Sequence, residues 1–271
     1  MVTIDPDNGK KQIDYHYDLI SGKVNKVAYQ QGKGDQFFYK YLYDADNRVT
    51  ESQSGRDNLI WNTDAAYRYY LHGPLVRTEL GKYKVQGVDY AYTLQGWLKG
   101  INSTIRDSTR DMGGDANPSG IFSRVSRDAY GFMLNYFRAI QDDVFKNEYA
   151  PISGNNPFNP IYPYSIPPSL PQTGKSLYNG NISSSALYLS GVENSRPVGY
   201  SYSYDQLNRL REMNRHNINA VSSTWNNAVI VTAYKELIDY DPNGNILTYR
   251  RNGANTAGKP RLINKMFICI R

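Results

Sequence analysis

The sequence predicts a mainly β protein: an array of antiparallel β-hairpins with an irregular proline-rich insertion. Three observations carry this. Tyrosine is abundant, 25 of 271 residues against 8 Phe and 3 Trp, and it alternates, so that Tyr39, Tyr41 and Tyr43 share one strand face, as do Tyr200, Tyr202 and Tyr204. A short unit recurs along the chain: an aromatic residue, usually Asp, two or three turn residues, a Gly or Asn, a polar residue and an aliphatic one. After each turn the alternation resumes, as in Arg48-Val49-Thr50-Glu51 and Asn245-Ile246-Leu247-Thr248-Tyr249.

Residues 1–105 form the first block of hairpins. Tyr17-Asp18 with Gly22, and Tyr43-Asp44 with Asn47, are full copies, and Tyr70-Leu71-His72-Gly73 and Tyr92-Thr93-Leu94-Gln95-Gly96-Trp97 are looser ones without Asp. The tyrosines at 17, 43, 70 and 92 stand 26, 27 and 22 residues apart. Asp, Asn and Gly suit the turns because they bond their own backbone or tolerate positive φ. The Asp after each Tyr is expected to accept backbone N–H groups across its turn, a structural duty rather than a catalytic one. Residues 106–176 interrupt the period. Within them 111–120 is turn-forming, and Tyr130, Phe132, Leu134 and Tyr136 alternate as a strand, although Phe132, Tyr136 and Ile140 also fit a helical face. Residues 150–174 hold seven of the 13 prolines and no charge, an irregular loop over the sheet or a polyproline-like ligand for a proline-reading partner. Residues 177–253 return to hairpins, with Tyr204-Asp205 and Asn208, then Tyr240-Asp241 and Gly244. The tail, 254–271, loses the pattern and is expected to be disordered or frameshifted. Repeat arrays need capping units, so the abrupt start and end suggest a piece of a longer chain.

Composition narrows the function. The net charge of +6 is scattered among acids rather than gathered on one segment, which argues against nucleic acid. No apolar run approaches the length of a membrane-spanning helix, and MVTIDPDNGKKQ has no signal-peptide core. With Cys269 alone, there is no internal disulfide and no cysteine-based metal site.

Catalytic and ligand motifs fail one by one. His16, His72 and His216 are far apart and no HExxH occurs, so a zinc site is not expected. Gly174-Lys175-Ser176 supplies half of a phosphate loop, but Ser169 stands where its first Gly belongs. Asp239 to Gly244 matches the first half of a calcium loop, yet Arg250 occupies the position of the bidentate Glu. Asp142 and Asp143, being adjacent, point apart on a strand. No catalytic residue, cofactor site or metal site is expected, and the chain is not expected to be an enzyme.

The tyrosine-led units resemble the YD repeats of the Rhs family, shared with shell-forming subunits of insecticidal toxin complexes and with teneurins. Tyr90-Ala91-Tyr92-Thr93-Leu94-Gln95-Gly96-Trp97-Leu98-Lys99-Gly100-Ile101-Asn102 is similar to a variant found in Rhs-type proteins of Bacteroidetes-like bacteria, and Arg127-Asp128-Ala129-Tyr130-Gly131 and Leu177-Tyr178-Asn179-Gly180-Asn181-Ile182-Ser183 fit the same set. The repeat-motif residues are then Tyr17, Asp18, Gly22, Tyr43, Asp44, Asn47, Tyr92, Gly96, Trp97, Tyr204, Asp205, Asn208, Tyr240, Asp241 and Gly244. The resemblance implies hairpins pairing edge to edge into a sheet that spirals into a β-shell around a C-terminal toxin or effector. Partners would be further YD repeats of the parent chain and the enclosed polypeptide, and the location extracellular or at the cell surface. The alternative is a carbohydrate-binding or adhesion module in which exposed Tyr67, Tyr69, Tyr70 and Trp97 stack on a surface glycan.

Overall fold

The computed structural model describes residues 2–4, 9–104, 111–136, 177–192, 197–218, 225–254 and 262–267. The proline-rich stretch, Asp142-Asp143, Ser169 to Ser176 and Cys269 lie outside them. Among the described residues every regular element is a strand. The chain divides into two compact units, Met1–Tyr90 with Asp115–Arg127, and Ala91–Gly114 with Asp128–Arg271.

The first unit contains β1 (Val2–Ile4), β2 (Lys11–Tyr17), β3 (Val24–Tyr29), β4 (Phe37–Tyr43), β5 (Val49–Gly55), β6 (Asn62–Tyr69), β7 (Leu75–Leu80) and most of β8 (Gln86–Tyr92). Each pairs antiparallel with the next in sequence. The second contains β9 (Leu98–Ile101), β10 (Tyr130–Asn135), β11 (Ser184–Leu189), β12 (Val198–Tyr204), β13 (Leu210–Ile218), β14 (Trp225–Tyr240), β15 (Ile246–Asn252) and β16 (Leu262–Phe267). These too pair antiparallel with their sequence neighbours. Both units are therefore the hairpin arrays the alternation predicts.

Two segments differ from expectation. Residues 115–127, expected in the irregular insertion, belong to the first unit, because Asp115 is ion-paired to Arg77 and Ser126 bridges Gln86. Residues 262–267, expected in a patternless tail, pair with β15 from Thr248↔Phe267 to Asn252↔Leu262.

The repeating hairpin has one geometry. Asp44 N–H donates to the Arg48 carbonyl and Asn47 N–H to the Asp44 carbonyl, a turn closed by Asn47 at φ 61°. Asp205 with Asn208, Asp241 with Gly244, and Thr93 with Gly96 repeat both bonds. A type I turn followed by a left-handed residue is a standard way to close such a hairpin, which is why Asn or Gly recurs there. At three motif tyrosines the ladder slips by one residue: Tyr43 faces Val49, Tyr204 faces Leu210 and Tyr240 faces Ile246, each just after a bulge. The bulge places one extra residue on the returning strand and twists the pair.

The apolar core is thin. Ala28, Phe38, Ala65, Val88 and Val125 are buried in the first unit, and Ala91, Met133, Tyr136, Ala186, Tyr188, Ala233 and Ile238 in the second. Much of the remaining buried surface is polar, including Arg77, Glu79, Asp89 and Asp115 in the first unit and Ser201, Asn214 and His216 in the second. Cohesion therefore depends on polar contacts between strands.

Candidate functional site

The recurring contact between hairpins is a tyrosine staple. Tyr43 Oη donates to the Val24 carbonyl at 2.6 Å, Tyr69 Oη to Val49 at 2.8 Å, Tyr204 Oη to Ile182 at 2.9 Å and Tyr240 Oη to Leu210 at 2.9 Å. Val24, Val49 and Leu210 each open the returning strand of the preceding hairpin. The motif tyrosine thus ends the outgoing strand of its own hairpin and, at Tyr43, Tyr69 and Tyr240, fastens the hairpin before it. Tyr136 makes the same bond to the Leu98 carbonyl at 2.9 Å.

An arginine completes the staple. In its own turn, Arg48 Nε binds Asp44 Oδ2 at 2.7 Å, and its guanidinium lies 4.7 Å from the centre of the Tyr69 ring. Arg209 repeats this on Asp205 at 2.6 Å and over Tyr240 at 4.6 Å. Asp44 Oδ1 also accepts the N–H groups of Asp46 and Arg48, and Asp205 Oδ1 those of Leu207 and Arg209. The Arg48 backbone N–H and then its side chain hold the Asp44 carboxyl below the usual carboxylate range, and Arg209 does the same for Asp205. Asp241 is lowered by the Asn245 side chain and backbone, and Asp18 by the backbone and hydroxyl of Ser21. Charge-assisted turn bonds and a cation held over a ring fix the distance between successive hairpins.

The structure moves one motif position. The looser copy assigned to Tyr70 has its phase one residue earlier: Tyr69 faces Leu75 after the bulge and makes the staple, while Tyr70 stands in the Asp position and bonds the Pro74 carbonyl through its N–H. With Tyr69, the spacings from 17, 43, 69 and 92 become 26, 26 and 23. Tyr17 faces Val24 after a bulge, and its turn is one residue longer, with Gly22 N–H on the Asp18 carbonyl. At the fourth copy Thr93 replaces Asp, its hydroxyl accepting the Trp97 N–H at 3.1 Å. The arginine and its stacking partner extend the motif beyond its Tyr, Asp and turn residues. The dipeptides Arg48-Val49 and Arg209-Leu210, four residues after their Asp, were the signal.

The aromatic residues suggested for glycan stacking are engaged elsewhere. Tyr67 Oη lies 3.4 Å from Ser52 Oγ, Tyr69 carries the staple, and Tyr70 Oη donates to the Tyr90 carbonyl while its ring stacks on His72. Trp97 is half-buried against Tyr136, ring centres 5.0 Å apart, with Gly180 beneath it. Gly180, Asn179 and Asn181 form a turn whose two amides donate to Asn208 Oδ1. Leu177 N–H donates to the Tyr136 carbonyl at 2.6 Å.

Three buried polar groups bear on chemistry. In the first unit Arg77, 3% exposed, binds Asp89 and Asp115 at 2.6 Å each and Glu79 at 3.4 Å, with Phe122 at 4.0 Å from its guanidinium. Burial disfavours the Arg77 cation, but Asp115 and Asp89 outweigh it and raise its pKa. Gly87 leaves room for this cluster, since a Cβ there would meet the Arg77 guanidinium and the Asp115 carboxylate and one of them would have to shift. In the second unit Ser201 Oγ lies 2.7 Å from His216 Nε2, and burial lowers the His216 pKa to about 4. A serine beside a neutral histidine has the makings of a nucleophile, but Ser201 is 0% exposed. Lys99, its pKa lowered to about 8 by burial, donates to Asn135 Oδ1 at 2.9 Å. Of the calcium-like stretch, Asp239 is bound by Arg211 and Thr248 and Asp241 by Asn245.

No protein-family model matches the chain, and no curated protein does. Among solved structures it is similar to TcdB2-TccC3-Cdc42, at 12% identity and a TM-score of 0.33, over 96% of this chain and 12% of that one. A Photorhabdus luminescens Tc holotoxin pore matches at 10% identity and a TM-score of 0.31, over 92% of this chain and 13% of that one. A porin-like protein from Bacteroides uniformis matches at 8% and 0.26, over 90% and 97%. The chain spans 12–13% of the length of the Tc-toxin chains it matches. At these values the likeness identifies neither a family nor an activity.

Proposed function

We propose that the chain is a non-catalytic wall segment of a larger Rhs-type, YD-repeat shell that encloses or presents a C-terminal toxin or effector outside the cell or at its surface. The observation that supports this reading is the staple. Tyr43, Tyr69, Tyr204 and Tyr240 fasten successive hairpins through the same atoms. A contact of that kind extends indefinitely along a chain without a new solution at each step, as a long wall requires. The buried Ser201–His216 pair offers no entry to a substrate, which fits a structural role. Of the rings named for the glycan-binding alternative, Tyr69, Tyr70 and Trp97 already have a cation or ring partner within the chain.

The test has two stages. Sequencing the flanks of the reading frame should reveal further tyrosine-led units, and unrelated genes on both sides would sink the proposal. In the purified parent protein, the segment following the repeats should resist protease until urea loosens the wall. Immediate cleavage of that segment, with the repeats intact, would rule out enclosure.

A further inference from the structure

The first unit carries a cavity of about 450 Å³ between the β7–β8 turn and residues 121–125. Its lining includes Arg68, Lys82, Lys84 and Arg124, and no carboxylate. Glu79, buried nearby, takes Lys84 at 2.9 Å and Arg68 at 3.7 Å, but it is one charge shared with Arg77 as well. Lys82 and Arg124 have no carboxylate partner among the described residues; Lys82 meets only the Tyr83 ring, at 5.8 Å. Arg77 is already matched by Asp89 and Asp115. The lining itself is therefore cationic, and Lys82 and Arg124 stand outside any ion pair among the described residues.

Apart from Ser123, its other walls are apolar or aromatic. Phe122 lies under the guanidinium of Arg68 at 5.6 Å, Val125 is buried, and Tyr83 and Ile121 stand 81% and 90% exposed at the rim. The second unit provides a contrast. A cavity of about 470 Å³ there is lined by Arg211 and Arg250 but also by Asp205, Glu212 and Asp239, and both arginines already reach Asp239. The carboxylates that line the second cavity are missing from the lining of the first. Cavities of this volume hold small organic ligands, and an arginine with neighbouring lysines is suited to oxyanions.

We propose that this cavity binds a small organic oxyanion, a carboxylate, sulfate or phosphate on an apolar or aromatic body. The oxyanion sits among Lys82, Lys84, Arg68 and Arg124, and the body lies against Phe122, Ile121 and Tyr83. The site is independent of the shell reading and stands whether or not the chain is part of a wall.

The test uses the whole chain and the fluorescent probe 8-anilinonaphthalene-1-sulfonate, with N-phenyl-1-naphthylamine as its uncharged counterpart. The expected result is saturable binding of the sulfonate that weakens about tenfold or more in a Lys82→Glu/Arg124→Glu variant. Both side chains are exposed, and a Lys82→Gln/Arg124→Gln variant with an unchanged circular dichroism spectrum guards against misfolding. Binding should also weaken between about 0.05 and 0.5 M NaCl as the charges are screened. Displacement by a capped Glu-Tyr dipeptide would support a carboxylate on an aromatic body. Displacement by the aromatic sulfonate's own unlabelled analogue, with no effect of the dipeptide, would assign the site to sulfate-like ligands. Equal affinity in wild type and both variants, equal binding of the uncharged dye, or equal displacement by inorganic phosphate would each overturn the proposal.

Discussion

Each unit contains a buried polar group, and the two are built differently. In the first, a cation lies among three carboxylates: Arg77 binds Asp89, Asp115 and Glu79 and is almost wholly out of water. In the second, Ser201 and His216 share one hydrogen bond without charge. Around both, the surface turns use the same Asp–Arg–Tyr staple. The difference shows where specificity resides. The staple recurs in both units, whereas each interior solves its own burial problem. An ionic solution is intolerant of losing a partner, because an unmatched buried charge is costly. A neutral one is intolerant of acid.

The largest effect should come from breaking the ionic interior. Arg77→Met removes the guanidinium bound by Asp89 and Asp115 and should cost about 3–5 kcal/mol, read as a fall in the denaturation midpoint. A full-strength fold in the variant would show that the carboxylates find other partners. Next comes acid. His216 titrates at about 4 when folded against 6.5 ordinarily, so between these values the unfolded state binds the proton more readily. Its contribution is complete above pH 6.5 and falls away as pH drops toward 4, by up to about 3 kcal/mol. A His216→Gln variant should flatten that part of the pH–stability curve; an unchanged slope would remove the assignment. The cluster on Arg77 behaves differently in this window, since Lys84, Arg68 and Arg77 outweigh burial and keep Glu79 below its ordinary pKa.

The staple should respond more mildly. Tyr240→Phe keeps the ring beneath Arg209 but loses the bond to the Leu210 carbonyl, for about 1 kcal/mol, with faster amide exchange where β13 begins. A loss several times greater would mean that the hydroxyl has a further duty. Smallest is Asn47→Gly, which retains the left-handed turn at φ 61° and should shift stability by no more than about 0.5 kcal/mol. Asn47→Val, forced into the same φ, should melt measurably lower.

What the chain alone determined is local. Alternating tyrosines specified strands, and Asp, Asn and Gly specified the turns, because both depend on residues within a few positions of each other. Asp44 and Asp205 were legible as turn acceptors for that reason. The exact phase was not legible at Tyr69-Tyr70, where either tyrosine satisfies the local pattern. The cross-strand bulge and the bond to Val49 select Tyr69. The stacking of Arg48 on Tyr69 and of Arg209 on Tyr240 likewise joins different hairpins. Arg77, Asp89 and Asp115 carried no visible relation, standing 12 and 38 residues from the arginine, and Gly87 gave no sign that its missing side chain makes room for them. Only the pairing of β7 with β8, and the return of residues 115–127 to the first unit, brings those charges together. Sequence separation hides such contacts because their geometry is set by strand register and not by the residues beside them.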